Sequence, residues 1–78
     1  MQHELKIPAA GMGITEGSIL KWYKTPGERV SEGEVLVEIE FAKVTVEVPS
    51  PITGVLESIT LQAGASAEVN TTIALLRE

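Results

Sequence analysis

The residues able to do chemistry in this chain are few. There is no cysteine and no aspartate, the one histidine is His3, and all eleven acids are glutamate. A lone histidine in a terminus expected to fray supports neither a nucleophilic triad nor a His-rich metal site. Eleven glutamates on a small surface bring some pair together by chance, so no acid/base pair is assigned and no catalytic residue is named. What remains is an amine. Lys43 stands inside "VEIEFAKVTVEVPSP", residues 37–51, where a turn would favour glycine, asparagine or proline. Glu38, Glu40 and Glu47 surround it in sequence, and none is an obvious fixed partner. An exposed lysine, with a reference pKa of about 10.4, is an ammonium at neutral pH. Lys43 is either an ordinary solubilising surface lysine or, as its place at the tip of the patterned hairpin favours, an attachment handle, acylated by an enzyme that docks on the fold and desolvates the amine.

The elements that must hold this lysine are strands. Seven glycines and four prolines cut the chain into pieces too short for ordinary helices. The longest stretch free of both is "EVLVEIEFAKVTVEV", in which Val35, Val37 and Ile39, then Val44, Val46 and Val48, recur at period two and are β-branched. It reads as a hairpin with Lys43 at its tip. Leu36 falls on the opposite parity, so its strand is either buried on both faces or bulged. "TPGE" at 25–28 has proline then glycine at the two central positions of a type II turn.

The second half repeats the first. Gly17 and Gly27 correspond to Gly54 and Gly64, Ile19 to Leu56, Trp22 to Ile59, Val30 to Ala67, Leu36 to Ile73 and Ile39 to Leu76, each pair 37 positions apart. A repeat of half a small domain predicts two similar sheets related by an approximate two-fold, each covering the other's apolar face. Residues 41–44 are the joint. The tip is expected at one end, and the chain termini near the other.

Composition removes several classes. Seventy-eight residues make one expected domain, 1–78, near the size at which one core is only marginally sufficient. A formal net charge of −5 has the wrong sign for gripping nucleic acid or an anionic membrane. No apolar run reaches the length of a membrane span, and "MQHELK" reads as neither a signal peptide nor a basic transit sequence. Absence of cysteine excludes a disulfide-stapled scaffold. Gly11 and Gly13 in "AAGMGITEG" lack the strand–glycine–helix context of a phosphate loop and read as a surface loop. Trp22 reads as a packing residue rather than a stacking platform.

With these residues in view the chain resembles a lipoyl domain of the acyltransferase (E2) component of 2-oxo acid dehydrogenase complexes. The likeness runs from "IPAAGMGITEG" to "TIALL" and includes the Pro-Gly-Glu turn, Gly33 ahead of Val35-Leu36, Glu40 three residues before Lys43, and "VPSPITG" after it. The resemblance implies an all-β, flattened barrel of two four-stranded antiparallel sheets, with lipoate in amide linkage to Lys43. It implies a cycle in which a thiamin-diphosphate-dependent E1 reductively acylates the lipoyl group, an E2 catalytic core passes the acyl group to coenzyme A, and a flavin-dependent E3, dihydrolipoamide dehydrogenase, reoxidises the dithiol. A lipoate ligase or lipoyl transferase would load the lysine. The dithiolane would then supply the thiol sulfur that a chain without cysteine lacks. The domain itself is expected to be monomeric, in the cytoplasm of a bacterium or the mitochondrial matrix of a eukaryote.

Two other readings stay open at this level: a biotin carrier, which shares the fold and the central lysine, and an unmodified lipoyl-like docking module. Biotinyl domains usually set the lysine between methionines, whereas Ala42 and Val44 flank it here. The chain also departs from the usual lipoyl pattern, with Phe41-Ala42 in place of Thr-Asp and Glu28 and Ala65 in place of the aspartate after each turn glycine. Glu40, Phe41, Ala42 and Val44 are therefore the expected recognition residues, and Phe41 in particular is expected either to fold back on the barrel as a packing residue or to meet the cognate E1.

Overall fold

The computed structural model describes residues 2–11, 13–42 and 44–78. Eight strands follow in order: β1 Gln2–Lys6, β2 Glu16–Trp22, β3 Arg29–Val30, β4 Val35–Glu40, β5 Thr45–Pro49, β6 Gly54–Ile59, β7 Ser66–Glu68 and β8 Thr72–Arg77. They form two four-stranded antiparallel sheets, ordered β1-β8-β6-β3 and β5-β4-β2-β7. The body they make is flattened, 33 × 21 × 17 Å. His3 lies within β1, opposite Leu76, with its Nε2 3.6 Å from the Glu78 carboxylate. This corrects the expectation of a frayed terminus: backbone pairing to β8 takes the start of the chain into the ladder.

The repeat is a true structural two-fold, because the same hydrogen bonds recur 37 residues on. Ile19 N donates to Ala65 O and Leu56 N to Glu28 O, both at 2.9 Å. Tyr23 N donates to Leu36 O and Thr60 N to Ile73 O, at 2.8 and 2.9 Å. The first two of these bonds cross between the halves. The short strand β3 pairs with β6 of the second half, and β7 pairs with β2 of the first, so neither half has a complete sheet of its own.

Leu36 is a bulge. The β4–β5 register shifts between Val35 and Val37, which turns both Leu36 and Val37 into the core. Its counterpart Ile73 sits at the equivalent shift between β1 and β8, again beside a buried neighbour, Ala74. A bulge places two successive side chains on one face, and so breaks the strict alternation. Between the sheets lie Leu5, Ile19, Leu36, Ile39, Leu56, Ile73 and Leu76, with Ile7 and Ile52 entering from connections. Trp22 packs partly buried against this core and donates its indole Nε1 to Leu61 O at 2.9 Å, a packing role.

The "TPGE" turn is type II as expected, with Gly27 at φ +97° and Glu28 N bonded to Thr25 O at 3.1 Å. Glu28 also accepts from the Thr25 N–H at 2.6 Å and the Thr25 hydroxyl at 2.8 Å. One connection further on, Glu34 accepts from Ser31 N at 3.0 Å and pairs with Lys24 Nζ at 3.0 Å. Hydrogen bonds to Thr25, backbone first, hold the Glu28 carboxyl below its ordinary value, and the Ser31 amide followed by Lys24 does the same for Glu34. Groups depressed in the folded state add stability that is present above their unfolded values and lost as pH falls through the folded ones. Acid unfolding is therefore expected to steepen below the ordinary glutamate value of about 4.3. The double substitution Glu28→Gln, Glu34→Gln should flatten the melting-temperature profile between about pH 5 and pH 3, a small effect at so exposed a site.

Candidate functional site

The β4–β5 connection is short. Glu40 and Thr45 form the last ladder pair, and beyond it Phe41 N donates to Val44 O at 2.7 Å, which brackets residues 42 and 43. Lys43 itself lies outside the described residues. Ala42 is exposed, Glu40 is exposed, and Val44 is 46 % exposed. The bracket is thus small or accessible on the sides that the structure describes, as an attachment enzyme would require.

Beside the bracket is a shallow open dent lined by Glu16, Gly17 and Ser18 of β2 and by Glu40, Phe41 and Ala42. Of the three acids near Lys43 in sequence, Glu38 and Glu47 face one another across β4 and β5, back from the tip. They lie near Tyr23, whose phenol is pushed up first by desolvation and then by these two charges. Glu40, on the last rung, is the acid adjoining the bracket.

Phe41 folds back on the barrel. Its side chain is 3 % exposed and belongs to the central core cluster. A ring so covered offers a docking enzyme almost no surface, and of the two readings of Phe41 its burial agrees with packing. The reason is Gly17. A Cβ built there would lie 2.8 Å from Phe41 Cε1, 3.1 Å from Cδ1 and 2.8 Å from Ile39 Cγ2. The ring occupies the space that any side chain at position 17 would need. Glu40, Ala42 and Val44 remain on the surface. The sequence carried a signal for this seat that went unread: Gly17 and Gly54 are partners in the repeat, while the counterpart of Phe41 is Glu78, so the aromatic ring has no equivalent in the second half.

The chain matches a family model described as biotin-requiring enzyme over residues 3–76. It is 47 % identical over 70 residues to the dihydrolipoyllysine-residue succinyltransferase component of the 2-oxoglutarate dehydrogenase complex of Bartonella vinsonii subsp. berkhoffii, covering 90 % of this chain and 17 % of that protein. It is 41 % identical over 73 residues to the dihydrolipoyllysine-residue acetyltransferase component of the pyruvate dehydrogenase complex of Bacillus subtilis, covering 94 % of this chain and 16 % of that protein. The chain therefore spans about a sixth of the length of these relatives. The solution structure of the lipoyl domain of the 2-oxoglutarate dehydrogenase complex from Azotobacter vinelandii superposes with a TM-score of 0.77 at 32 % identity, covering 95 % of this chain and 96 % of that one. With two interlocked four-stranded sheets, a bracketed lysine at their joint, and these similarities over nearly its whole length, the chain belongs to the biotinyl/lipoyl attachment-domain family, as a lipoyl domain of the E2 acyltransferase type.

Proposed function

We propose that Lys43 takes lipoate in amide linkage and that the domain carries it between the active sites of a 2-oxo acid dehydrogenase complex. The observation that supports this best is the bracket: a single lysine at the symmetry joint, between a backbone-closed pair and two exposed, uncharged neighbours, Ala42 and Val44. The residues present fit the group, since the chain has no sulfur nucleophile of its own and the bracket offers no bulky side chain to obstruct an acyl chain. When bound, lipoate supplies a dithiolane that accepts an acyl group and two electrons. The protein's part is mechanical and electrostatic. The strands hold the attachment point, the bracket limits its freedom, and the surface around it is what a thiamin-diphosphate-dependent E1, an E2 core and a dihydrolipoamide dehydrogenase would read. Tethering to such a core raises the local concentration of the carried group at each site. A docked domain also contributes binding energy that a free cofactor cannot. Alone, the domain is a carrier, working in whichever compartment houses its parent complex.

The direct test is the intact mass after coexpression with a lipoate ligase and, separately, a biotin ligase. A single lipoyl adduct and no streptavidin signal are expected. Ala42→Met with Val44→Met is expected to bring a streptavidin signal, because the methionine flanks are what the chain lacks for that ligase. Robust biotinylation of the unaltered chain would reverse the assignment, and absence of both adducts would favour a docking module.

A further inference from the structure

We infer that Phe41, seated on Gly17, is the positioning residue for Lys43, an inference that rests on Lys43 being the lipoylated residue. Among the described residues, the bracket is closed by one backbone bond, from Phe41 N to Val44 O, and no side-chain hydrogen bond is made by Glu40, Phe41, Ala42, Val44 or Thr45. Glu40 on the last rung is paired on both sides, to Thr45 of β5 and Ser18 of β2, but the turn beyond it frays unless something holds it. The ring is that hold. It leaves the chain beyond the final strand pair, yet it is buried, and it lies against Gly17 of the neighbouring strand β2. Gly17 is not at positive φ, so it is glycine for space and not for backbone conformation.

The two-fold supplies an internal comparison. At Gly54, the counterpart of Gly17, the space of the missing side chain is filled by the Arg77 carbonyl and the Glu78 backbone. Each half thus closes its glycine with residues at or just past the end of its last long strand. The second half does so with main chain. The first half must send its main chain back into the hairpin, and closes the glycine with a ring instead. That ring ties the base of the bracket to β2, two residues ahead of the amine.

The step it serves is amide formation. The amine, having given up its ammonium proton, attacks the carbonyl carbon of an acyl adenylate of lipoate; the new C–N bond replaces the C–O bond to AMP, which leaves. A bracket that pivots offers the ligase the competent geometry only part of the time, and apparent affinity falls by that fraction.

The experiment compares Gly17→Ala, Phe41→Leu, the double variant Gly17→Ala/Phe41→Leu and a control, Ile73→Val, which destabilises the core from β8. Each is assayed well below its own melting temperature. One readout is kcat and KM for lipoylation by purified lipoate ligase with ATP and lipoate. The other is amide hydrogen exchange at Phe41 relative to Ile19, whose N–H donates to Ala65 O in the body of the fold. In Gly17→Ala the added methyl displaces the ring. An increase in KM of about tenfold is expected, with kcat little changed and exchange faster at Phe41 than at Ile19. The smaller leucine side chain in the double variant should recover the part of both that the ring carries, the contact with Ile39 Cγ2 remaining, and Ile73→Val should move neither. If Gly17→Ala does not fold, Phe41→Leu carries the comparison, with a smaller shift of the same kind. Should Gly17→Ala and Phe41→Leu behave like Ile73→Val at equal stability loss, the ring is packing alone and the inference is wrong. Should the unaltered chain take no lipoate, the carrier reading fails. The exchange readout then still decides the hold: selective loss of Phe41 protection supports it, and unchanged protection overturns it.

Discussion

Lys43→Gln is expected to abolish modification by the lipoate ligase, whatever the enzyme concentration. The other three lysines are placed where a ligase reading a hairpin tip finds no substrate. Lys6 ends β1 in register with Thr72. Lys21 lies in the body of β2 opposite Glu38, its Nζ 5.0 Å from the centre of the Tyr23 ring. Lys24 is held by Glu34 at 3.0 Å. Amide formation removes one positive charge and takes the formal net charge from −5 to −6. The Gln variant has −6 from the outset, so on a native gel it should comigrate with the modified form before and after ligase treatment, while the unmodified wild type runs behind. Tandem mass spectrometry is the arbiter. A lipoyl adduct mapped to Lys6, Lys21 or Lys24 would overturn the assignment of the handle.

Phe41→Thr is expected to lower stability severely. Truncating a buried phenylalanine to a small residue typically costs about 3–5 kcal/mol, through lost transfer energy and the cavity left behind. Threonine refills part of the volume but brings a hydroxyl into an apolar seat, so about 3 kcal/mol is a fair expectation. In a domain of this size each kcal/mol shifts the melting temperature by about 4–8 °C. The loss is then on the order of 10–20 °C, a large share of the total stability of so small a core. Trp22 fluorescence reports the transition, since its indole packs against the same core. Ala42→Asp, one residue on and exposed, should stay within about 0.5 kcal/mol of wild type. A Phe41→Thr variant that melts within a degree or two of wild type would contradict the burial of the ring.

These two substitutions sit two residues apart and test different kinds of knowledge. The hairpin around Lys43 was legible because its signals are local or periodic. Period-two valines on both sides of Lys43 define a hairpin, Pro26-Gly27 defines a type II turn, and spacing at 37 defines a second half. Each depends only on covalent geometry and on which side chains suit a pleated surface. From these came the two sheets, their apolar inner faces and the placement of Lys43 at the joint.

The fate of Phe41 was not legible in this way. Beside the tip an aromatic ring either folds back or meets a partner, and the choice turns on whether β2 has a hole where it passes. That hole is Gly17, remote in sequence and adjacent only after β2 and β4 have paired. The crossing of β3 and β7 into the opposite halves is of the same kind, since it depends on which edges remain unpaired once the long strands have formed. So is the place of β1 in the repeat. Leu5 pairs with Ala74 where Val48 pairs with Val37, so β1 and β5 are counterparts 43 apart and not 37. The six extra residues lie in the 7–15 connection, where added loop length costs little free energy and leaves the ladder undisturbed. A linear comparison at one fixed spacing passes over such a pair. The sequence by itself determined strands, turns, the internal repeat and the hairpin that carries Lys43, because these follow from neighbours along the chain. Tertiary structure decided what each exposed-looking residue touches, because burial belongs to surfaces that meet only when distant segments are brought together.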